Sequence, residues 1–351
     1  MRLRWASGYS ARGSDEVAAL WRDRQIGRAL VIVGAGFDPR TAVAYEVISQ
    51  AAQVPVDILR CELPMPTLPE TSDLARANRT RVEAAAAKAG ANIIDHDPVQ
   101  MSGMSIARSI LAAHGIVDYD EIVVDVSAMP RAVYFPLIRG LIELSDSNKA
   151  ARQLHVVATD NPRVDQLVVG EGAEAPRALP GFADIEEDNA ATRIWVPVLG
   201  EGEAARLEIL YEDLRAAEIC PVLPFPAANP RRADDLLKEY RTWLIETERV
   251  ELRNIIYAHE SNPYDLYATV SKLNADYREA LKPLVGDTKM VLSAHASKLL
   301  SVGVLLTAFE QRLEVRHASP SRYGIRDVAA LPGLEQHDFV VDLWLTGDPY
   351  G

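Results

Sequence analysis

The segment VVDVSAMPRAVYFPLIRGLIE, residues 123–143, carries the pattern that decides the fold. Its first residues end a hydrophobic run that is typical of a buried strand, and the small residues Ser127 and Ala128 follow. Pro130 and Arg131 then open a helical pattern, since proline is well tolerated in the first helical turn, where its missing N–H costs no hydrogen bond. We therefore expect a strand, a short turn and a helix in this order.

The same alternation extends in both directions from this segment. Between residues 29 and 160, hydrophobic runs alternate with helical patterns over short connections, which favours a parallel sheet with helices on both faces. The second half repeats the alternation less regularly. There, we expect 192–200 and 205–214 to be strands that form a hairpin or cross each other, and we expect the apolar stretch 338–347 to be a closing edge strand. The sequence thus predicts an α/β fold of two Rossmann-like, doubly wound parallel-sheet domains in tandem.

The boundary between the two predicted domains falls in a segment of unusual composition. Residues 170–192 are rich in Gly, Ala, Pro and acidic residues, as linkers are. We expect a first domain over residues 1–185, with an N-terminal extension and the linker, and a second domain over 186–351. A length of 351 residues is ample for two domains.

Composition and charge exclude some classes of function. The net charge of −13 disfavours a broad nucleic-acid surface, which is usually basic, but it permits a local basic pocket for a small anion. The absence of 18 consecutive apolar residues predicts no membrane span, and the N-terminus lacks the apolar core of a signal peptide. Cys61 and Cys220 lie far apart in apolar runs, which predicts buried free thiols, a reducing compartment and hence a cytoplasmic protein. No metal-ligand spacing is visible.

Basic residues recur where strands give way to helices. VIVGAGFDPR places Arg40 after Asp38-Pro39, and in the second half PVLPFPAANPRR resembles it. Asp, Asn or Ser before a helix is explained as an N-cap, but a cation there is disfavoured by the helix dipole. A basic residue in the first turn therefore indicates an anion nearby. That anion is either a protein carboxylate or a bound phosphate.

These turns all follow strands of a predicted parallel sheet, at the edge where open α/β sheets bind ligands. We expect the first and fourth parallel strands to flank the binding crevice. The candidate ligand-binding residues of the first half are Gly34, Gly36, Asp38, Arg40, Ser127, Ala128 and Arg131. Those of the second half are Ser293, His295, Ser297 and Lys298, where His295 is a candidate ligand contact or general base.

Two known families share parts of this pattern. VIVGAGFDPR resembles the glycine motif of some S-adenosylmethionine-dependent methyltransferases, and this resemblance implies that Glu62 is the acid that follows their second strand. The strand, the turn of small hydroxyl residues and the basic helix start resemble the ligand-binding motif of CARF-type domains. Their tandem repetition resembles SAVED domains. This second resemblance rests on two turns, Ser127-Ala128 with Arg131, and Ser293-Ala294 with Ser297-Lys298.

The CARF and SAVED resemblance implies a sensor of cyclic oligonucleotides or related nucleotide signals in prokaryotic antiviral systems. Three classes of function stay open. They are a sensor of a nucleotide or another phosphorylated small molecule, an enzyme (a methyltransferase or a nucleotide hydrolase), and a non-catalytic scaffold subunit. No GxSxG, Walker A or HExxH motif assigns a catalytic group. The sequence identifies no cofactor, and it leaves open an effector protein or a second copy of the chain as partner.

Overall fold

The computed structural model describes residues 3–63, 67–97, 102–112, 115–147, 153–183 and 192–350. The chain divides into two compact units. The first domain comprises Ser7–Gly172 and Pro320–Gly351, and the second comprises Met1–Ala6 and Ala173–Ser319. A single cut at residue 185 therefore does not separate the domains, because the C-terminal segment belongs to the first one and the first six residues to the second.

The strands of the described residues are numbered in chain order. They are β1 (Ser10–Arg12), β2 (Ala29–Ala35), β3 (Val56–Glu62), β4 (Ile93–His96), β5 (Glu121–Asp125), β6 (Gln153–Asp160), β7 (Val168–Glu171), β8 (Arg177–Ala178), β9 (Thr192–Val198), β10 (Glu218–Ile219), β11 (Val222–Pro224), β12 (Ile256–Ala258), β13 (Thr288–Ala294), β14 (Glu314–His317), β15 (Arg322–Ile325) and β16 (Phe339–Thr346). Most of them lie in two seven-stranded sheets, and β7 and β15 form a separate antiparallel ribbon.

The helices are numbered in the same way. They are α1 (Ser14–Asp23), α2 (Val43–Ala51), α3 (Ser72–Ala89), α4 (Gly103–Ala112), α5 (Arg131–Ser147), α6 (Pro162–Asp165), α7 (Ala204–Leu214), α8 (Arg232–Glu239), α9 (Pro263–Val285) and α10 (Lys298–Gln311). Helix α3 is followed by Gly90, whose φ of 65° lies in the left-handed region that favours glycine, and a glycine at this position is a helix-end signal that the sequence itself carries. Within the described part of the chain, no helix is both long and apolar enough to span a membrane.

The first sheet has the strand order β1-β16-β6-β5-β2-β3-β4. The five strands β6, β5, β2, β3 and β4 are parallel, and β16 is antiparallel to both of its neighbours. Counted along the chain from β2, the parallel strands have the order 3-2-1-4-5. The first and fourth of these, β2 and β5, are adjacent, so the sheet has its topological switch point where the sequence predicts it.

The second sheet repeats this topology. Its order is β12-β11-β9-β13-β14-β8, and its first five strands are parallel. Counted from β9, they again have the order 3-2-1-4-5, with β9 equivalent to β2 and β13 equivalent to β5. The predicted tandem of Rossmann-like α/β domains is confirmed. The equivalence also corrects one comparison, since PVLPFPAANPRR contains the second parallel strand, β11, rather than the counterpart of β2.

Residues 205–214 form a helix, and their prediction as a hairpin strand is wrong. The segment lies within α7, where Leu207, Leu210 and Leu214 recur at helical spacing and are buried in the second core. These leucines pack with Trp195 of β9 and with other buried residues on this face of the sheet. Ten residues with leucines at mixed spacings fit either pattern, and burial against β9 selects the helix.

The final strand, β16, lies inside the first sheet, which corrects its prediction as an edge strand of the second domain. Its continuous apolar run is explained by neighbours on both sides, β1 and β6. The one carboxylate in the run, Asp342, accepts hydrogen bonds from Trp21 Nε1 at 2.8 Å and His155 Nδ1 at 2.7 Å. Glu121 lies 3.3 Å from the other ring nitrogen. Burial opposes charging of this imidazole, but Asp342 and Glu121 outweigh it and raise the pKa of His155 to about 9.

Candidate ligand-binding edges

The predicted site residues lie where the first and fourth parallel strands of each sheet end. We call the loops after β2 and β5, residues 36–40 and 126–131, the first edge. The loops after β9 and β13, residues 199–206 and 295–298, form the second edge.

The first edge begins with a glycine that the fold requires to be small. A Cβ on Gly34 would lie 2.8 Å from Leu63 Cδ1 and 3.3 Å from the carbonyl oxygen of Ala128, so β2 ends in close contact with the turn that follows β5. Gly36 differs, because a Cβ there would meet no described atom within 4 Å. Its carbonyl accepts a hydrogen bond from Asn78 Nδ2 at 2.9 Å.

Arg40 is bound by carboxylates of the protein. Its Nε and one terminal nitrogen donate to Asp38 at 2.9 and 2.7 Å, and the other terminal nitrogen donates to Asp165 at 2.8 Å. Arg40 is 2% exposed. Burial alone would lower the pKa of Arg40, but these carboxylates outweigh it and raise the pKa well above its ordinary value. For Arg40 the structure thus supplies the anion that the sequence leaves open, and it is a pair of aspartates.

Ser127 is committed to the protein as well. Its backbone N–H donates to Asp125 Oδ1 at 2.9 Å, and its hydroxyl donates to the same oxygen. The hydroxyl also accepts from the Thr159 N–H at 2.8 Å, which joins the end of β5 to β6. Ser127 is fully buried, so it fixes the turn rather than facing a ligand.

Asp125 is a site residue that the sequence analysis did not select. It is 2% exposed, and its Oδ2 makes no hydrogen bond to any described residue. Burial raises the pKa of Asp125 to about 7, with a further contribution from Asp38, while Ser127 and Arg40 oppose the shift. Near neutral pH this carboxyl is therefore partly protonated. The signal in the sequence was a single acid that ends a buried apolar strand.

At the second edge, the corresponding loops are in still closer contact. A Cβ on Gly200 would lie 2.1 Å from the carbonyl oxygen of His295 and 2.9 Å from Ala296 Cα. Both neighbours are backbone atoms, which cannot rotate away. The loops after β9 and β13 therefore fit together only if residue 200 has no side chain.

An acid and an arginine pair here as at the first edge. Glu203 accepts from Arg206 Nε at 2.6 Å and from a terminal nitrogen of the same guanidinium, and its Oε2 lies 3.2 Å from His295 Nδ1. Burial would raise the pKa of Glu203, but the hydrogen bonds from His295 and Arg206 hold it well below its usual range. His295, predicted as a ligand contact or base, is oriented by this carboxylate.

The two predicted serines of the second edge have structural partners. Ser293 is fully buried and accepts a hydrogen bond from Trp195 Nε1 at 2.9 Å. Ser297 is the N-cap of α10 and accepts from the Leu300 N–H at 3.3 Å. The Ser293 hydroxyl is therefore enclosed by the protein, whereas that of Ser297, a partly exposed residue, still has its O–H to donate.

Arg131 and Lys298 occupy equivalent positions in the two domains. Arg131 is the first residue of α5, which follows β5, and Lys298 is the first residue of α10, which follows β13. Both residues are partly exposed, as is Ala128 in the turn that precedes α5. The recurrence predicted from sequence is thus present in three dimensions at the fourth parallel strand of each sheet.

The sequence analysis missed the acid and arginine of the second edge. Gly34 and Arg40 are six residues apart, and so are Gly200 and Arg206, with a second glycine two residues after the first in both segments. This shared spacing, in GAGFDPR and GEGEAAR, was the available signal. The prediction of a strand over residues 205–214 conceals this spacing, because it places Arg206 inside a strand.

Other candidate groups are not part of these two sets of loops. Glu62, the acid implied by the methyltransferase resemblance, is the last residue of β3 and pairs in register with Ala35 of β2. Its carboxylate binds Arg79 at 3.0 Å. No group of three or more His, Cys, Asp or Glu side chains within the described ranges is arranged to hold a metal ion. Both cysteines are buried and free, as predicted.

Comparison with known proteins adds only weak structural likeness. No protein-family model matches the chain, and no match was found among curated proteins. A solved structure, the cytoplasmic domain of a prokaryotic cation chloride cotransporter, is similar at 11% sequence identity over 84% of this chain and 96% of that one. Its TM-score of 0.26 is too low to carry any argument about function.

Proposed function

We propose that this protein binds a nucleotide or another phosphorylated small molecule at the carboxyl edges of its parallel sheets and acts as a sensor of that molecule. The resemblance to CARF-type and SAVED domains adds the hypothesis that it regulates a prokaryotic defence system. In this proposal Arg131 and Lys298 are the cations that contact the anion, while Arg40, Ser127 and Ser293 hold the edges in shape.

The observation that carries the proposal is the equivalence of Arg131 and Lys298. Each is the first residue of the helix after the fourth parallel strand. A cation there is disfavoured by the positive end of the helix dipole. A bound phosphate would reverse this penalty, because the cation and the helix amides would both attract it. Two turns with different sequences, VSAMPR and SAHASK, keep this feature.

Asp125 supports the proposal at the first edge. Its Oδ2 is buried without a hydrogen-bond partner among the described residues, and its pKa of about 7 keeps a proton on part of the molecules at neutral pH. A protonated carboxyl donates a hydrogen bond that a phosphate oxygen accepts, whereas the carboxylate repels the same oxygen. Binding at this edge should therefore weaken as the pH rises through about 7.

A thermal-shift screen of the purified chain tests the proposal. The panel contains nucleotides, cyclic oligonucleotides, inorganic phosphate and S-adenosylmethionine, since any compound that binds the native state raises the apparent melting temperature. We expect a shift with a phosphorylated compound that is lost in Arg131→Ala or Lys298→Ala. Arg139→Ala on α5, which removes an exposed pair with Glu143, and Lys272→Ala on α9 are matched controls that should keep the shift.

A shift that survives both Arg131→Ala and Lys298→Ala would contradict the proposal, as would the absence of any shift. The methyltransferase alternative is supported by one observation, the register pairing of Glu62 with Ala35 next to the glycine turn. It predicts a shift with S-adenosylmethionine that is lost in Glu62→Gln and kept in Arg131→Ala. The same screen therefore distinguishes the two functions.

A further inference from the structure

A cavity of about 340 Å³ opens in the second domain away from the second edge. It lies at the amino end of β13, because Thr288 is the first residue of that strand and the second edge follows its last residue. The lining side chains that carry the argument are Asn274, Arg278, Glu279, Lys282 and Asp287. Its volume is near the lower limit of ligand sites, which suits a small metabolite better than a nucleotide.

Asn274 points to an occupant of this cavity. It lines the cavity and is 3% exposed, yet its amide makes no hydrogen bond to any described residue. Nearly all polar groups in folded proteins are satisfied by protein, water or a ligand, and an occupant of the cavity can satisfy this amide. Asn274 offers both donors and an acceptor, so it can hydrogen-bond a carboxylate or an ammonium group.

Three donors line up along one face of α9. Asn274, Arg278 and Lys282 recur every four residues, and all three line the cavity. Side chains at this spacing lie one above the other on a helix. Among the described residues, neither Arg278 nor Lys282 has a carboxylate within 4.0 Å. This side of the cavity is therefore suited to an anionic group.

Groups of the opposite charge complete the lining. Glu279 and Asp287 border the cavity, and neither pairs with Arg278 or Lys282. Helix α9 ends at Val285, and Gly286 after it turns the chain away with a φ of 77°, so the last carbonyls of the helix contribute partial negative charge here. Two cations and two carboxylates thus face one cavity without neutralising each other. A purely anionic or purely cationic ligand would leave one pair repelled.

We propose that this cavity binds a small zwitterion of the free α-amino acid class. The carboxylate of the ligand contacts Arg278 and the amide of Asn274, and its ammonium group contacts Asp287 and the C-terminal carbonyls of α9. The site is separate from both edges, and the inference does not depend on the proposed function.

Isothermal titration calorimetry of the full chain with each of the twenty common amino acids tests this proposal. We expect at least one to bind, and we expect its affinity to fall at least tenfold in both Arg278→Ala and Asn274→Ala. The amine and the carboxylic acid obtained by removing one charged group of that amino acid should bind at least tenfold more weakly. Lys272→Ala, an exposed change on the same helix, and Arg131→Ala at the first edge should leave binding unchanged.

Three results would overturn the proposal. One is the absence of binding for all twenty compounds, and another is unaltered binding in both Arg278→Ala and Asn274→Ala. The third is equal affinity for the one-charge analogues. Because Asn274 is buried, the circular dichroism spectrum and melting temperature of its variant are measured first. If that variant does not fold, the exposed Arg278→Ala decides the outcome alone.

Discussion

The two edges are built from the same parts but balance their charges differently. At the first edge, Arg40 is shared by Asp38 and Asp165, and the buried Asp125 lies nearby. At the second edge, Glu203 is alone and binds two partners, Arg206 and His295. The first edge thus has more carboxylates than cations in its buried cluster, and the second has more potential cations than carboxylates.

This difference shows how one topology produces two electrostatic environments. In both sheets a glycine lets the loops after the first and fourth strands meet, and an acid–arginine pair fixes the first loop. The two domains differ in the residue found at the end of the fourth strand or directly after it. Asp125, the last residue of β5, is pushed toward its neutral form, whereas His295, in the loop after β13, joins the ion pair. The response to pH near neutrality should therefore arise in the first domain.

The largest expected contrast comes from removal of the two paired arginines. Arg40→Met leaves Asp38 without its buried partner, and we expect a loss of about 3–5 kcal/mol in the free energy of unfolding. Arg206→Met should cost less, roughly 1–2 kcal/mol, because Glu203 keeps His295 and is partly exposed. Urea unfolding of both variants, with Arg139→Met as the surface control, checks this. Equal losses would contradict the difference between the edges.

Asp125→Asn should change the pH dependence of stability. The folded-state pKa of Asp125 is raised to about 7, so its contribution to stability is present below pH 4 and is lost as the pH rises through 7. Asparagine cannot lose a proton. We expect the stability of the variant relative to the wild type to rise between pH 5 and pH 8 by roughly 3 kcal/mol, because about two pH units of this range lie below the folded-state pKa.

Chemical denaturation at four pH values between 5 and 8 measures this gain. His295→Gln in the second domain is the comparison. A constant difference between wild type and Asp125→Asn across this range would show that Asp125 does not titrate there, and the account of the first edge would be wrong.

His155 should produce a second, more alkaline response in the first domain. Its folded-state pKa of about 9 lies above its unfolded value, so its stabilising charge is fully present below pH 6.5 and is lost as the pH rises through 9. We expect on the order of 3 kcal/mol to be lost from this residue. The difference in unfolding free energy between the wild type and His155→Gln should shrink between pH 6.5 and 10. A difference that does not change with pH would show that His155 is neutral in the folded protein.

The smallest expected differences in stability come from replacing single glycines at the two edges by alanine. Gly200→Ala places a Cβ against backbone atoms of the facing loop and should cost about 3 kcal/mol. Gly34→Ala meets the flexible end of Leu63 first and should cost about 1 kcal/mol. Gly36→Ala, with open space around it, is the matched control and should be neutral within about 0.5 kcal/mol. Thermal melts of the three variants check the order, and a reversal would contradict the described loop contacts.

Local sequence patterns predicted most of the helices and strands, but they did not predict which distant strands and side chains pair with each other. The strands β2 to β6 and their helices follow from hydrophobic periodicity and from signals such as Gly90. The place of β16 does not, because its partner β6 is far away in the chain and no local pattern specifies it. The same reason hid one partner of Arg40, since Asp165 lies 125 residues away from it, whereas Asp38 is only two residues away. The basic residues that begin the helices could be predicted, because each of them follows its turn directly in the sequence.

Hydrogen exchange measured by mass spectrometry tests the central claim most directly. The wild type, Arg131→Ala and Lys298→Ala are each compared with and without ATP, and with and without cyclic tri-adenylate. The account predicts slower exchange at residues 126–135 and 295–302 with at least one of these compounds. Each variant should lose the protection at its own edge. Binding that protects neither segment, or protection that persists in both variants, would contradict ligand recognition at the carboxyl edges of the sheets.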